Sequence, residues 1–283
     1  MHFYKYVVLL VICGLLSQPN DSLLNNIDFS QKLGRDKDPK VMDDISKFQI
    51  FSRKISWNIL NIPGMKFMTK LLFPKSTIAS IKTNQKVVAF SIDDGFCGLD
   101  NPEGSMIRDV QELFKKHNSK ATFFVSGSHC NYTSISEVHS LLEDGHEIAN
   151  HSMYDWPYHK YSKEEFEHDL KKTKQILDQY SDDIPNWYRA PHGRLSQRMQ
   201  SVLDEQGYTH VVCSVFANDT AIPDPKWISK FILKRVEPGS IILIHMPEKG
   251  VREWNYEAME ITLEGLKQQG FSVVTVSELY NLK

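Results

Sequence analysis

Asp93 and Asp94 stand side by side in "FSIDDGFCG", at the end of an apolar run. Two carboxylates so close repel, and one resists ionising unless a cation sits nearby. A strand running into an Asp-Gly turn is the plain alternative. Further along, "HSMYD" sets His151 and Asp155 four apart, where one helical turn brings both to one side. An imidazole and a carboxylate so placed can grip one divalent ion, although many such pairs are simply solvated. Asp94, arriving from another strand end, makes a third ligand and leaves the open position that catalytic zinc requires. His159, a further four along, is an alternative ligand. Arg189 and His192 in "RAPHG", Asp219 in "AND" and His245 in "IILIHMP" complete the reactive set. Taken singly, Arg189 reads as a surface ion-pair partner and His245 as a satisfied core histidine.

These residues need a scaffold. "KVVAFSIDD", "KATFFVSG", "HEIANH", "NWYRAPHG", "YTHVVCSVF", "GSIILIHM" and "FSVVTVSEL" read as strands. Between them run helical patterns, such as "GSMIRDVQELFKKH" with Ile107, Val110, Leu113 and Phe114 on one face. The long helix of "SKEEFEHDLKKTKQILDQY" opens on Ser162 and an acidic first turn, and Gly145 ends the helix of "ISEVHSLLEDG". Strand and helix alternate about seven times, which argues for parallel strands with helices outside. The expected fold is therefore α/β, a distorted (β/α)7-type barrel; an open doubly wound sheet is the alternative. No Gly-x-Gly-x-x-Gly follows a strand, which weakens a dinucleotide reading. In a barrel, chemistry collects at the carboxyl ends of the strands, and that is where the reactive residues fall.

The stretch from about Lys86 to Leu279 resembles the polysaccharide deacetylases, the chitin-deacetylase-like members of carbohydrate esterase family 4 with a NodB-homology domain. "SIDDG", "HSMYD", "RAPHG", "NDT" and "LIH" stand in the order of that family's five motifs. "GHEIANHSMYDWP" and "VEPGSIILIHM" also resemble its fungal and protist branch. The resemblance implies Asp93 as general base and Asp94, His151 and Asp155 as metal ligands. It implies His245 as general acid, Arg189 orienting Asp93, and Asp219 holding His245. A backbone N–H near His192 would help the metal to stabilise the oxyanion. The implied reaction removes N-acetyl groups from an N-acetylglucosamine-containing, chitin-like polysaccharide, with water activated by a divalent ion. Zinc is expected first. Asp155 stands where a second histidine is common, an oxygen-rich set that also suits manganese or cobalt. Thr220 replaces a tryptophan and Met246 an aspartate of the family pattern, which bears on the substrate. The other readings are a metal-dependent amidohydrolase acting on a small non-carbohydrate amide, and a non-catalytic glycan- or membrane-binding protein.

Composition sets the remaining bounds. The chain of 283 residues has a net charge of −2, so no global field points to nucleic acid. Lys5 precedes the apolar run Tyr6–Leu16, which is short for a membrane span and suits a signal-peptide core, with an uncleaved anchor as the alternative. Residues 1–17 are read as that signal or anchor, 18–85 as an N-terminal extension and 86–283 as the catalytic domain. The protein is expected in the secretory pathway, secreted, in a cell wall or on a membrane. From Ser46 to Ile92 there is no Asp or Glu, while Lys47, Arg53, Lys54, Lys66, Lys70, Lys75, Lys82 and Lys86 alternate with Phe48, Phe51, Trp57, Phe67 and Phe73. Residues 46–82 thus suit an anionic membrane surface, or cap the following domain. Cys97 and Cys130 follow predicted strands and are candidates for a bridge between neighbouring loops. Asn131, Asn150 and Asn218 each begin a glycosylation sequon; the last two are expected buried in the site and unmodified. Trp156, Trp187 and Trp254 are candidate sugar platforms, with packing as the plainer role.

Overall fold

The computed structural model describes residues 46–60, 76–98, 101 and 103–283. The signal or anchor at 1–17, the rest of the extension up to 45, and residues 61–75 lie outside the described residues.

The region from residue 86 onward is built on an eight-stranded sheet. Its strands are β1 (Val87–Gly95), β2 (Thr122–Val125), β3 (Glu147–Asn150), β4 (Trp187–Tyr188), β5 (Thr209–His210), β6 (Val215–Phe216), β7 (Ile241–His245) and β8 (Ser272–Val274). The order is β5-β4-β3-β2-β1-β7-β6, with β8 beside the start of β1, and every pairing is parallel. The helices are α1 (Lys47–Leu60), α2 (Ile107–Lys116), α3 (Ile135–Glu143), α4 (Lys163–Leu177), α5 (Gln197–Glu205), α6 (Pro225–Leu233), α7 (Trp254–Gln268) and α8 (Val276–Tyr280), with short 3-10 segments at Gly127–Tyr132, Tyr158–Lys160 and Pro191–Gly193. The expected parallel strands with outer helices are present.

The chain itself forces the sheet to curl. A flat path of seven strands would part its edges by about 29 Å. Yet β5 and β6, the two edge strands, are joined by residues 211–214 alone, which reach at most about 18 Å. "YTHVVCSVF" is therefore not one strand, as the apolar run suggests, but two strands on opposite edges. The N-terminal side of the seam is stitched by Ile78, whose N–H donates to the His210 carbonyl at 2.9 Å while its own carbonyl accepts from Val212 at 2.8 Å. The last predicted strand, "FSVVTVSEL", is also divided. Thr275 and Glu278 form a capping box, so the chain leaves β8 and starts α8.

Core burial fixes β1 at the centre. Phe90 and Ile92 on one face pack with Phe114 and Phe123, all fully buried. Each such side chain contributes roughly 1.5–3 kcal/mol relative to exposure. Ile107, Val110, Leu113 and Phe114 of α2 form the predicted buried face. Capping boxes at Ser134/Glu137 and Ser162/Glu165 start α3 and α4. At Gly95 an added Cβ would meet Val125 at 2.8 Å, so the Asp-Asp-Gly end of β1 admits no side chain there.

Helix α1 lies ahead of the sheet in the chain but grips the region that follows it. Arg53 Nη1 donates to the Ala221 carbonyl at 2.8 Å, Lys54 pairs with Asp224, and Trp57 Nε1 donates to the Phe216 carbonyl at 2.9 Å. All three contacts land on residues 216–224, the segment that carries Asp219.

No disulfide joins Cys97 and Cys130; both are buried thiols. Cys97 Sγ instead donates to the Asn101 carbonyl at 2.7 Å. Burial is the leading influence on the Cys130 thiol, pushing it up to about 12. Asn131 is exposed, whereas Asn150 is 2% exposed and donates to the Leu170 carbonyl. Trp187 packs against Tyr280 and donates to Ser277 Oγ at 2.8 Å, which is a packing role.

Candidate active site

Register places the central pair. Asp93 of β1 is level with His245 of β7, and the Met246 N–H donates to the Asp93 carbonyl at 2.9 Å. Asp94, the next residue, has φ 54°, which turns it out of the strand geometry. The two adjacent carboxylates are therefore not forced to face one neighbour. Their counter-charges differ too. Arg189 Nη1 donates to Asp93 Oδ1 at 2.6 Å, and Arg252 Nη1 donates to Asp94 Oδ2 at 2.8 Å. The repulsion posed by the sequence is met by two guanidinium groups from distant strand ends.

His151 follows β3. Its Nδ1 lies 2.8 Å from the Arg189 carbonyl, which accepts the ring proton and leaves Nε2 as the free lone pair. Nε2 is 3.8 Å from Asp94 Oδ1 and 4.0 Å from Asp93 Oδ2. Asp155 does not reach the site through a helical turn, because residues 153–156 form a succession of bends and Ser152 has φ 65°. It arrives nonetheless: ligand atoms of Asp94, His151 and Asp155 all lie within 4.8 Å of one another. Asp94 and His151 are buried and Asp155 is exposed. One nitrogen and two carboxylate oxygens, with the nitrogen oriented by a carbonyl, fit a divalent ion open to solvent on one side. His159, weighed as an alternative, is not among them.

On the other side stands a histidine–carboxylate pair. Asp219 Oδ1 lies 3.0 Å from His245 Nδ1, and Asp219 Oδ2 accepts the His245 backbone N–H at 2.8 Å. Asn255 Nδ2 donates to Asp219 Oδ2 at 2.6 Å, and Trp254 Nε1 to the Asp219 carbonyl at 2.9 Å. Trp254 therefore anchors the Asp219 segment. Burial opposes charge on His245, but Asp219 and then Asp94 raise its pKa above the ordinary imidazole value. Burial likewise opposes ionisation of Asp219, and the adjacent His245 holds it low. For Asp94 burial again works upward; Arg252, His245 and His151 outweigh it and keep the carboxyl well below the usual range.

Arg189 is 4% exposed, so it is no surface ion-pair partner. It also donates to Ser91 Oγ and to the Val211 carbonyl, and its guanidinium lies over the Phe124 ring. His192 is half-exposed, with Nε2 3.5 Å from Asp155 Oδ1. Arg252 escaped the sequence reading. It sits in no motif, and its one local signal is a basic residue shortly after the "LIH" strand end. Its own φ is 55°. Asp94, Phe96, Ser152, His192, Asn218 and Arg252 are six of the seven non-glycine residues with positive φ among those described. Asp94 is the penultimate residue of β1 and the others lie in the segments after strand carboxyl ends, so backbone strain gathers where the reactive groups meet.

Comparison with known proteins places this geometry. Residues 80–211 match the polysaccharide deacetylase family model. A peptidoglycan-N-acetylglucosamine deacetylase of Listeria monocytogenes is 30% identical over 206 residues, covering 73% of this chain and 41% of that protein. The chain thus spans about two-fifths of the length of that relative. A peptidoglycan-N-acetylglucosamine deacetylase of Bacillus cereus is 29% identical, over 72% of this chain and 92% of its own length. A solved family 4 pseudoenzyme from Bacillus anthracis superposes with a TM-score of 0.64 at 23% identity, over 75% of this chain and 70% of its own. That likeness concerns fold alone. These relatives are bacterial and lend nothing to the likeness of two motif flanks to fungal and protist members.

Proposed function

We propose that this chain is a polysaccharide deacetylase, the family whose model residues 80–211 match, and that it hydrolyses N-acetyl groups of an N-acetylglucosamine-containing glycan with the help of a divalent metal. One observation carries the reading: three ligand atoms converge beside Asp93, which Arg189 holds and to which no role in gripping the ion falls. A mere metal or glycan binder has no use for that base facing the His245–Asp219 pair across one β1–β7 register.

Asp94, His151 and Asp155 would hold the ion. When bound, it supplies an acidified water and a polarised amide carbonyl. Asp93 accepts the water proton; Arg189 fixes which oxygen is free to do so, because Oδ1 is already engaged. His245 gives its proton to the departing amine nitrogen, since an amide nitrogen leaves poorly without one. Asp219 at Nδ1 leaves Nε2 as the donating atom. A groove is lined by Tyr154 and Trp156, the chain neighbours of Asp155, and by Tyr161, and Tyr154 stacks on Trp156 at 4.3 Å between ring centroids. Such a surface suits the apolar face of a sugar ring.

Chitin-like polymer is our first substrate, with peptidoglycan, on which the named relatives act, as the competitor. Zinc is the first metal, then manganese or cobalt. The secretory pathway is the proposed location. The test is acetate release by metal-stripped protein reloaded separately with zinc, manganese and cobalt. Chitin oligomers, peptidoglycan fragments and a small acetamide are the three substrates. Metal-dependent acetate from either glycan supports the proposal. Release from the small amide alone favours the amidohydrolase reading, and silence on all three favours a binding protein.

A further inference from the structure

Helix α1 has two faces of opposite use. Arg53, Lys54 and Trp57 point inward and grip residues 216–224. Phe48, Phe51 and Ile55 point outward and are 77, 59 and 46% exposed. At 3.6 residues per turn the three share an arc of about 60°, opposite the gripping side. The choice between capping the domain and facing something else is thus divided within one helix. Trp57 caps; the two phenylalanines and the isoleucine do not.

We propose that this outer face docks on an anionic lipid surface. Two large aromatics and an isoleucine left in water on a single stripe have no packing role in the described structure, and a pinned helix cannot rotate to hide them. The charge around them selects the occupant. Residues 46–60 contain no carboxylate side chain, and Lys47 flanks the stripe. The α6 helix meets α1 at both ends, through Lys54 with Asp224 and through Arg235 with Asn58. That helix carries Lys226, Lys230 and Lys234, all exposed and four residues apart. A shallow apolar stripe within a basic surround is the chemistry of a helix lying in the headgroup region of an anionic bilayer. No described helix is long and apolar enough to cross a membrane, so the contact is peripheral.

The test is flotation of the full chain with phosphatidylserine–phosphatidylcholine vesicles and with phosphatidylcholine alone. Wild type is compared with the triple variant Phe48→Ser, Phe51→Ser, Ile55→Ser. The apolar run Tyr6–Leu16 is common to both proteins, so the difference between them belongs to α1. The expected result is binding that prefers the anionic vesicles, weakens with salt, and falls on the order of 100-fold in the variant. Acetate release from a soluble glycan oligomer should stay unchanged. A second variant, Lys226→Gln, Lys230→Gln, Lys234→Gln, should lose the anionic preference with α1 intact. Equal flotation of wild type and the α1 variant overturns the proposal. So does equal binding to both vesicle types, or a variant whose only change is dissociation of a wild-type dimer in sedimentation, which would make the stripe a self-association face.

Discussion

Arg252 Nη1 lies 2.8 Å from Asp94 Oδ2, in a site where Asp94 Oδ1 faces His151. One carboxylate thus has a permanent cation on one oxygen and a candidate metal-ligand position on the other. Without metal, Arg252 balances the buried charge; with metal, it is a like charge close to the ion. Arg252→Gln should therefore lower the stability of metal-stripped protein by about 3 kcal/mol. It should also enlarge the rise in Tm that added zinc produces, relative to wild type. Thermal unfolding with and without chelator reads both. A variant with an unchanged stripped Tm and an unchanged zinc shift would remove Arg252 from this role.

Asp93 is held by Arg189 rather than by the ligand set. Asp93→Asn should cut acetate release by about 100-fold or more while divalent metal still binds. Paired turnover and metal-titration measurements separate base from ligand. Loss of metal binding would move Asp93 into the ligand set.

The alkaline limb of activity should belong to His245. An acid works only while protonated, so activity falls as pH rises through its pKa. Burial depresses that pKa and Asp219 raises it to a net increase. Asp219→Asn removes the raising charge and leaves burial, so the limb of kcat/KM should move to lower pH by roughly one unit or more. A limb that stays in place excludes His245 as the titrating acid.

Trp57 joins α1 to the surroundings of His245. It donates to the Phe216 carbonyl and meets the Phe216 ring edge-on at 5.5 Å, and Phe216 lies 5.7 Å from the His245 ring. Trp57→Ala should destabilise the fold by roughly 2 kcal/mol and lower kcat more than it raises KM. Trp57→Phe, which keeps the ring contact, should recover most of kcat. If neither variant changes kcat, α1 has no part in positioning residues 216–224.

His146 predicts the acid limit of stability. Burial is the main cause that pushes its pKa down to about 4, and Asp144 opposes it weakly. The unfolded chain has an ordinary imidazole near 6.5 and so binds more protons between those values. Stability is full near pH 7 and declines as pH falls from about 6.5 to about 4, by roughly 3 kcal/mol from this group. Urea midpoints across that range should fall less steeply in His146→Gln, whose amide can still accept the Ala121 N–H that His146 now accepts at 3.0 Å.

The linear order of residues determined a good deal of this protein. Periodicity announced α2 with its buried Ile107, Val110, Leu113 and Phe114, because burial on one helix face repeats every three or four residues. Asp93, Asp94, His151, Arg189, Asp219 and His245 were legible because short motifs at strand ends keep reactive groups at fixed offsets from the backbone. Tertiary structure decided the rest. Only the curl of the sheet splits "YTHVVCSVF" between two edges, since an apolar run does not say which neighbour each half will meet. Likewise, only the fold brings Arg252 to Asp94 across 158 positions, a Coulomb contact to which no local pattern points. And only docking decides that Trp57 is inside while Phe48 is outside: the same aromatic–basic alternation serves either face until a partner surface claims one of them.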